Sequence, residues 1–580
     1  GGAAGAGAGQ ATFDEDDEDD EDEGEDPLPE PRSVEEQALF EQEQEDIGNV
    51  KVPVLEPLGQ GLVRDIKLRL LPHYGSDLSD GLSLKCAASS GFLFCACLCA
   101  AVAFGVGAAA VTQGQIGVIE MILSTSVCGV VYSLTCGQPV ALTGFGGAHL
   151  AFTSVLFATS QALGLDFLPF YAWTGLWSAS FLLLMTLASV SNLVLYFTRF
   201  TDETFSALSS IIFVYEAVRN LSKPWLAPAP DAAVALLSTL LAAGTLWTVF
   251  FVGGVRKSGA FTKAVRDTVA DFAPTVGVVA GTCAFAWASS HLSVGALPSL
   301  DLPVGITTST GRPWLIDVWQ APAWARWAAG VPALFLSLLL FMDQVITTRL
   351  VNSPDNKLQK GYGYHLDLLI ISLYTAACSV LGLPWMTAAT VPSLNHARSL
   401  SNVEDGEVES LVENRVSGAA IHALMGVSVL FLRPLLVQVP LAVFMGLFMY
   451  LGLSAARSNK FIARVVLTAT DPSIYRKRLP KALRRIRPKR EARGVIQKYS
   501  GVQLACLASL WLIKSSPAGI MFPVLVALLV PVRIWLTRFF SQNQLKALDD
   551  CGDPVEAGRE AYVETAVQQR MLERARAAAA

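Results

Sequence analysis

Apolar segments of similar length recur along most of this chain, and they restrict its fold more than any other feature. Each is close to the ~20 residues that an α-helix needs to cross a bilayer. We therefore predict an all-α polytopic membrane protein with about fourteen transmembrane segments. The predicted segments lie near residues 86–108, 116–136, 139–161, 167–198, 203–221, 231–254, 264–290, 324–350, 364–382, 384–400, 414–433, 438–455, 498–514 and 518–540.

The composition also indicates a membrane protein. Of 580 residues, 52% are hydrophobic and 16% are charged, and the mean hydropathy is +0.44. A soluble chain of this size could not bury that much apolar surface in one core, so most of it must face lipid. The net charge of −7 comes from one acidic run, residues 14–26. The sequence contains no P-loop or nucleophile elbow, which argues against ATP-driven transport and against an enzyme.

The regions that flank the apolar segments are polar. Residues 1–55 predict a disordered acidic cytosolic tail, and residues 56–85 predict an amphipathic helix on the membrane surface. The transmembrane transport domain is predicted over 86–545, followed by a cytosolic C-terminal tail over 546–580. The loops rich in Lys and Arg, including the linker 476–493, are predicted on one side of the membrane. The positive-inside rule predicts that this side is cytosolic and that both termini lie there.

Two apolar segments, the third and the tenth, carry residues that disfavour a continuous helix. Residues 137–149 contain several glycines, and residues 382–393 contain two prolines. Each pattern predicts an extended stretch that leads into a half-helix. If the chain is two repeats of seven segments, the two breaks occupy corresponding positions, which is typical of the substrate site of a transporter. Backbone left unpaired at that depth must line protein or a water-filled cavity.

Two half-helix N-termini that face each other offer free N–H groups and positive dipole ends to a small anion such as bicarbonate, carbonate, borate or chloride. The alternative is that the glycines only allow close helix packing. The predicted anion-binding residues are Thr143, Gly144, Phe145, Gly146, Gly147, Ala148, His149, Ala389, Thr390, Val391, Pro392 and Ser393.

A carboxylate lies inside the eighth apolar segment. A charge at Asp343 costs several kcal/mol in that setting unless it is paired or hydrated. Thr347 lies one turn later on the same helical face, so the two oxygens predict a Na⁺ site, with no other metal or cofactor. The alternative is an aspartate at a wet helix end that pairs with Arg349 or Lys357. We interpret Asp367, another apolar-segment carboxylate, as structural.

These residues resemble the bicarbonate transporter family, which comprises anion exchangers, Na⁺-coupled bicarbonate cotransporters and borate-transporting relatives. The resemblance covers roughly residues 58–550, and its most specific stretches are 200–216, 341–348, 360–368 and 383–391. It implies seven plus seven inverted repeats, usually assembled as a homodimer.

The resemblance also implies a division into a core domain (about 86–198 and 324–433) and a gate domain (about 199–290 and 438–540). The substrate would lie between the two half-helices on the face of the core toward the gate. Movement of the core against the gate would expose that site to each side of the membrane in turn.

Two positions resemble the Na⁺-coupled members more than the exchangers. Those members carry aspartate in a Phe-Met-Asp-Gln motif, as at Asp343, where exchangers typically carry glutamate. Exchangers place an arginine where this chain has Pro392, and a bound Na⁺ would replace that charge. Gly146 and Thr153 depart from the usual family residues, which leaves the ion ligands and the stoichiometry open.

The sequence therefore predicts Na⁺-coupled secondary transport of bicarbonate or carbonate. The predicted partners are these ions, the lipid bilayer and a second copy of the chain, without nucleic acid. The plasma membrane is the favoured location, with an organellar membrane as the alternative. The first alternative function is Na⁺-independent chloride/bicarbonate exchange or borate transport, and the second is a membrane scaffold without transport.

Overall fold

The structure, a computed structural model, describes the chain from residue 57 to residue 549 with several gaps. The predicted acidic tail and most of the predicted C-terminal tail and basic linker lie outside the described residues. The gaps are residues 227–230, 260–261, 292–296, 298, 300–306, 354–355, 405–406, 432–433, 435–436, 469, 471–482, 484–491 and 517–518.

The described elements are mostly helices. The first half of the chain forms α1 (Gln60–Asp65), α2 (Leu71–Ser79), α3 (Leu84–Thr112), α4 (Val118–Thr135), β1 (Thr143–Gly144), α5 (Gly147–Ala162), α6 (Phe167–Leu187), α7 (Arg199–Ser222), α8 (Ala232–Gly254), α9 (Lys263–Asp271) and α10 (Ala273–His291). The second half forms α11 (Ala323–Ala328), α12 (Gly330–Val351), α13 (Tyr364–Leu381), β2 (Thr387–Ala388), α14 (Thr390–Leu400), β3 (Ser401–Glu404), β4 (Glu407–Leu411), α15 (Val416–Phe431), α16 (Leu441–Ser458), α17 (Lys460–Thr468), α18 (Ala492–Lys514), α19 (Phe522–Ala527), α20 (Leu529–Leu536) and α21 (Gln542–Asp549).

Every predicted apolar segment overlaps one of these helices, which confirms the polytopic helical class. Within the described part of the chain, eight helical stretches are long and apolar enough to cross a membrane. The others are shorter or more polar, so the total of fourteen spans stays a prediction. The two interrupted segments form the short helices α5 and α14, each preceded by a two-residue strand.

The transmembrane helices pack in two groups. In the first, which we call the core bundle, α3 and α4 pack against α15, while α6 packs against α12 and α13. In the second, the gate bundle, α16 packs against α7 and α8, and α8 also packs against α10. Each bundle therefore combines helices from both halves of the chain, as the expected inverted repeat requires.

Glycines at the helix contacts allow the core helices to approach closely. A Cβ added to Gly129 of α4 would lie 1.9 Å from Cδ2 of His422 on α15. A Cβ added to Gly175 of α6 would lie 1.8 Å from the Ser379 hydroxyl on α13. Small residues are typical of such contacts, because lipid tails are as apolar as the helices and attraction depends on close packing.

The predicted surface helix forms α1 and α2, which are joined by one π-helical turn. Arg69 in that turn is buried and pairs with Asp77 at 3.0 Å and with Glu413 at 3.4 Å. Asp65 accepts a hydrogen bond from the backbone N–H of His365 at 2.8 Å, and burial raises the pKa of Asp65 to about 7. Buried polar contacts thus anchor this region to the core bundle.

We expect Gly129→Ala to destabilise the protein by roughly 1–3 kcal/mol, because the added methyl overpacks a site where the His422 ring cannot move freely. The ring nitrogens of His422 lie 2.7 Å from the Gly418 carbonyl oxygen and 3.1 Å from that of Thr143. The measurement is the thermal unfolding midpoint of the purified protein in detergent.

Gly244→Ala is the matched control, because a Cβ there meets no atom within 4 Å. Helix propensity alone makes that change neutral or stabilising by up to about 1 kcal/mol. Equal midpoints for the two variants would show that the contact between α4 and α15 is not tightly packed.

Candidate transport site at the crossing of two broken helices

The two interrupted segments meet through their backbones. β1 and β2 pair in antiparallel orientation, with Thr143 opposite Ala388 and Gly144 opposite Thr387. The pairing continues with a hydrogen bond of 2.7 Å from the Ala389 N–H to the Leu142 carbonyl. We call residues 142–144 and 387–389 the crossing. It confirms the predicted extended stretches that lead into half-helices.

Glycines make the approach of these segments possible. A Cβ on Gly144 would lie 3.0 Å from the Ala389 Cβ, and a Cβ on Gly146 would lie 3.3 Å from an Asp343 carboxylate oxygen. Pro392 lies in the first turn of α14, where its missing N–H removes no helical hydrogen bond. Helices α5 and α14 therefore both begin next to the crossing.

Three side chains hold the crossing in place. The Ser393 hydroxyl accepts from the Leu142 N–H at 2.9 Å and donates to the Ala389 carbonyl at 2.6 Å. Gln344 accepts from the Ala388 N–H at 2.7 Å. His422 contacts the carbonyl oxygen of Thr143 at 3.1 Å and its hydroxyl at 3.3 Å. Ser393, a predicted anion-binding residue, is thus fully buried and supports the backbone.

The carboxylate of Asp343 lies beside the crossing. Its Oδ2 accepts a hydrogen bond of 3.0 Å from the Thr387 hydroxyl and lies 3.2 Å from Nδ1 of His149. Asp343 is 9% exposed and His149 is 1% exposed. Three separate elements, α12, β2 and α5, therefore bring these side chains together.

The other predicted cation ligand contacts a different partner. The Thr347 hydroxyl lies 2.7 Å from the hydroxyl of Thr390, the first residue of α14. Arg349, an alternative partner for the Asp343 carboxylate, instead forms an ion pair of 2.8 Å with Asp202 on α7. No ion pair between Asp343 and Lys357 occurs in the described structure.

The predicted anion-binding residues differ in their exposure. Val391 is exposed, and five others are partly exposed, namely Gly144, Gly146, Ala389, Thr390 and Pro392. The remaining predicted residues are buried and include Thr143, Phe145, Gly147, Ala148, His149 and Ser393. The accessible surface of the site is therefore contributed by residues close to the two helix N-termini, among them Thr390.

Aromatic rings surround the start of α5. Phe145 packs edge-on against Phe104 on α3 of the core bundle, with ring centroids 5.6 Å apart. A Cβ added to Gly147 would lie 3.2 Å from the ring of Phe213 on α7. The start of α5 is therefore covered by an aromatic side chain of the gate bundle.

Sequence reasoning missed three supporting residues, Thr387, Gln344 and His422. Gln344 had a visible signal, because an amide beside Asp343 in an apolar helix needs polar partners. Thr387 lies within the interrupted segment 382–393, but no local pattern distinguished its hydroxyl, and His422 lies in a segment that gave no signal. The structural interpretation of Asp367 agrees with the contacts, since its Oδ1 accepts from the backbone N–H of Gly137 at 2.8 Å.

We expect Gln344→Leu to lower the thermal unfolding midpoint. Gln344 links the Ala388 N–H to the Tyr132 hydroxyl, to which it donates at 2.8 Å; leucine would leave the buried N–H unpaired and remove one donor from the hydroxyl. An unpaired buried group costs about 1–3 kcal/mol. Gln161→Leu at the exposed end of α5 is the control. Equal midpoints in the two variants would contradict the supporting role of Gln344.

Comparisons with known proteins agree with this architecture. The family described as "HCO3- transporter integral membrane domain" matches residues 57–227 and 225–553. Anion exchange protein 3 of Danio rerio is 32% identical, with 92% of this chain and 48% of that protein covered. The electroneutral sodium bicarbonate exchanger 1 of Rattus norvegicus is 33% identical, with 88% and 53% covered. The chain thus spans about half the length of these relatives.

A solved structure supports the fold at low sequence identity. The murine Solute Carrier 26 family member A9 anion transporter aligns with a TM-score of 0.52 and 13% identity, over 90% of this chain and 75% of that chain. That likeness concerns the fold of seven plus seven inverted repeats alone. Because the family match covers nearly all of the described residues, the chain belongs to the bicarbonate transporter family.

Proposed function

We propose that this protein is a secondary active transporter of bicarbonate or carbonate, driven by Na⁺ and working by alternating access. The observation that carries the proposal is the position of Asp343. Its carboxylate lies inside an apolar helix and directly beside the point where two half-helices begin. An ionisable group at such a depth is a functional-site candidate in membrane proteins.

The anion half of the proposal rests on the two helix N-termini. The first turns of α5 and α14 leave backbone N–H groups without helical acceptors, and both positive dipole ends point toward the crossing. A small oxyanion can accept hydrogen bonds from these groups and from the Thr390 hydroxyl. Lysine and arginine are absent from residues 143–149 and 389–393, so backbone donors carry this binding.

The cation half rests on the need to neutralise Asp343. A buried charge is stable only when it is paired or coordinates an ion. The Thr387 hydroxyl is uncharged, and Arg349 is paired with Asp202. Na⁺ held by the carboxylate and a threonine hydroxyl, Thr347 by its spacing, would balance that charge and add a positive field for the anion. Bicarbonate and Na⁺ then bind better together than separately.

Transport in this proposal occurs when the core bundle moves against the gate bundle. The close approach of Gly147 to Phe213 and the ion pair between Arg349 and Asp202 join the two bundles. Both contacts must change as access alternates. We further propose that the protein is a homodimer in the plasma membrane. We also propose that both termini lie in the cytosol, because the loops rich in Lys and Arg are predicted on that side of the membrane.

The second candidate function is Na⁺-independent chloride/bicarbonate exchange. The observation in its favour is that relatives named anion exchange proteins are as similar to this chain as the relative named a sodium bicarbonate exchanger, at 32% and 33% identity.

Flux of labelled bicarbonate into proteoliposomes separates the two candidates. With the proposed function, an inward Na⁺ gradient drives uptake in chloride-free buffer, and replacement of Na⁺ by choline abolishes it. Uptake that requires internal chloride and proceeds equally in choline would instead establish the exchanger. Liposomes without protein give the background.

We expect Asp343→Asn to reduce the Na⁺-dependent stimulation of bicarbonate flux at least about tenfold. This reduction is equivalent to ~1.4 kcal/mol of lost cation binding. The amide keeps the volume of the side chain and removes the charge that attracts the cation. Flux as a function of Na⁺ concentration in proteoliposomes is the measurement.

Glu216→Gln on α7 is the control, because it neutralises another buried carboxylate, one that lies 3.6 Å from Arg219. This variant should keep the Na⁺ dependence of the unmodified protein. Unchanged Na⁺ activation in Asp343→Asn would remove Asp343 from the mechanism.

A further inference from the structure

Three largely exposed tryptophans lie at one end of the core bundle. Trp319 lies just before α11, and Trp324 and Trp327 lie on α11 itself. They are 66%, 54% and 74% exposed. The guanidinium of Arg326 lies over the Trp319 ring, 4.9 Å from the ring centroid. We call these four residues the outer aromatic surface.

Hydrogen bonds from α6 hold the backbone of this surface. The indole N–H of Trp173 donates to the Val318 carbonyl at 2.8 Å. The indole N–H of Trp177 donates to the Arg326 carbonyl at 2.9 Å. The segment that carries the exposed rings is therefore fixed to a helix of the core bundle.

The same two residues of α6 also support the exposed rings. Trp173 packs edge-on against Trp319, with ring centroids 5.9 Å apart. The rings of Trp177 and Trp327 are tilted against each other, with centroids 5.5 Å apart. Because partly buried rings support these two exposed ones, little order must be gained when a partner binds to them.

The positive charge of Arg326 has no counterion in the part of the chain that the structure describes. Its Nε donates to the Ala321 carbonyl and its Nη2 to the Trp319 carbonyl, both at 2.7 Å. Within the same described residues, Nη1 has no hydrogen-bond partner and no carboxylate pairs with this side chain. A partly exposed guanidinium with free donors suits a phosphate group.

The length of the helical stretch places this surface near the lipid headgroups. The stretch Ala323–Val351 has 29 residues. At 1.5 Å per residue it is about 44 Å long, whereas the hydrocarbon core is about 30 Å thick. With Arg349 at the cytosolic end, as proposed above, α11 begins in the outer headgroup region. Tryptophan is favoured at that depth, because its ring is apolar and its N–H is polar.

We propose that the outer aromatic surface binds a phospholipid of the outer leaflet, with Arg326 contacting the phosphate and the indoles lying beside the upper part of the acyl chains. The partner is chosen by charge complementarity, because an unpaired cation among exposed aromatic rings matches an anionic phosphate above apolar chains. This inference goes beyond the proposed function and does not depend on which ions are transported.

Lipid binding at this place would affect the core bundle directly, because α6, α11 and α12 carry or support the surface. The bound lipid holds the outer end of the core bundle at the depth of the headgroups. Movement of the core bundle against the gate bundle must then carry this lipid along or break its contacts.

The first test measures tryptophan fluorescence of the full chain in phosphatidylcholine vesicles whose acyl chains are brominated either near the headgroup or near the methyl end. The unmodified protein is compared with the triple variant Trp319→Phe, Trp324→Phe, Trp327→Phe. The difference in emission isolates these three of the 12 tryptophans. We expect bromines near the headgroup to quench this difference at least about twofold more than deep bromines.

The second test concerns the phosphate. It compares the thermal unfolding midpoint in detergent after addition of phosphatidylcholine or of diacylglycerol with the same acyl chains. Phosphatidylcholine should raise the midpoint of the unmodified protein more than diacylglycerol does. We expect Arg326→Gln to reduce this excess at least about twofold, because the anionic group loses its cation.

Arg312→Gln is the matched control, because Arg312 also donates to backbone carbonyls, including that of Gly382 at 3.0 Å. This variant should keep the full excess. Arg326→Lys retains the charge and should keep most of it, which tests the phosphate contact even if Arg326→Gln folds poorly.

Three results would overturn the proposal. The first is emission from the three tryptophans that aqueous iodide quenches and brominated lipid does not. The second is equal stabilisation of the unmodified protein by phosphatidylcholine and diacylglycerol. The third is a change of oligomeric state in the triple variant without any loss of quenching by brominated lipid, which would make this surface a contact between copies of the chain.

Discussion

Backbone groups that leave a helix in the middle of a membrane must find hydrogen-bond partners, because lipid offers none. In this protein the two interrupted segments satisfy each other, through the antiparallel pairing of Thr143 with Ala388 and Gly144 with Thr387. The positions of the half-helices, of Asp343 and of the proposed ion sites all depend on that pairing. It also makes the two halves of the chain dependent on one another, since each contributes one strand.

The crossing leaves some backbone and hydroxyl groups for ligands and uses others for support. Ser393 and Gln344 occupy N–H and carbonyl groups of the strands, and His422 adds a contact from α15. The first turns of α5 and α14 keep their N–H groups unused by the helices. A rigid scaffold with free donors at one edge suits a small anion, because little order must be gained on binding.

The charged side chains around the site have few partners among the described contacts. Arg349 is held by Asp202 on the gate bundle. Asp343 therefore meets only the Thr387 hydroxyl and the His149 ring within the described contacts. A bound cation would stabilise the charged form of a carboxylate in this setting. The N-termini of α5 and α14, which begin beside the crossing, would stabilise a bound anion. A cation and an anion bound at the two proposed sites would be coupled by electrostatics, since the field of each ion would extend over the other.

The sequence by itself determined the helical membrane class and the two interrupted segments, and it singled out Asp343 as a candidate site residue. These properties follow from local patterns, namely the length of apolar runs, the positions of Gly and Pro, and a charge within an apolar helix. Only the tertiary structure decided that Thr387 lies beside Asp343, that Thr347 contacts Thr390 and that Ser393 supports the backbone. Helical spacing specifies the face on which a side chain lies, whereas its partner comes from a distant segment that packing alone brings near.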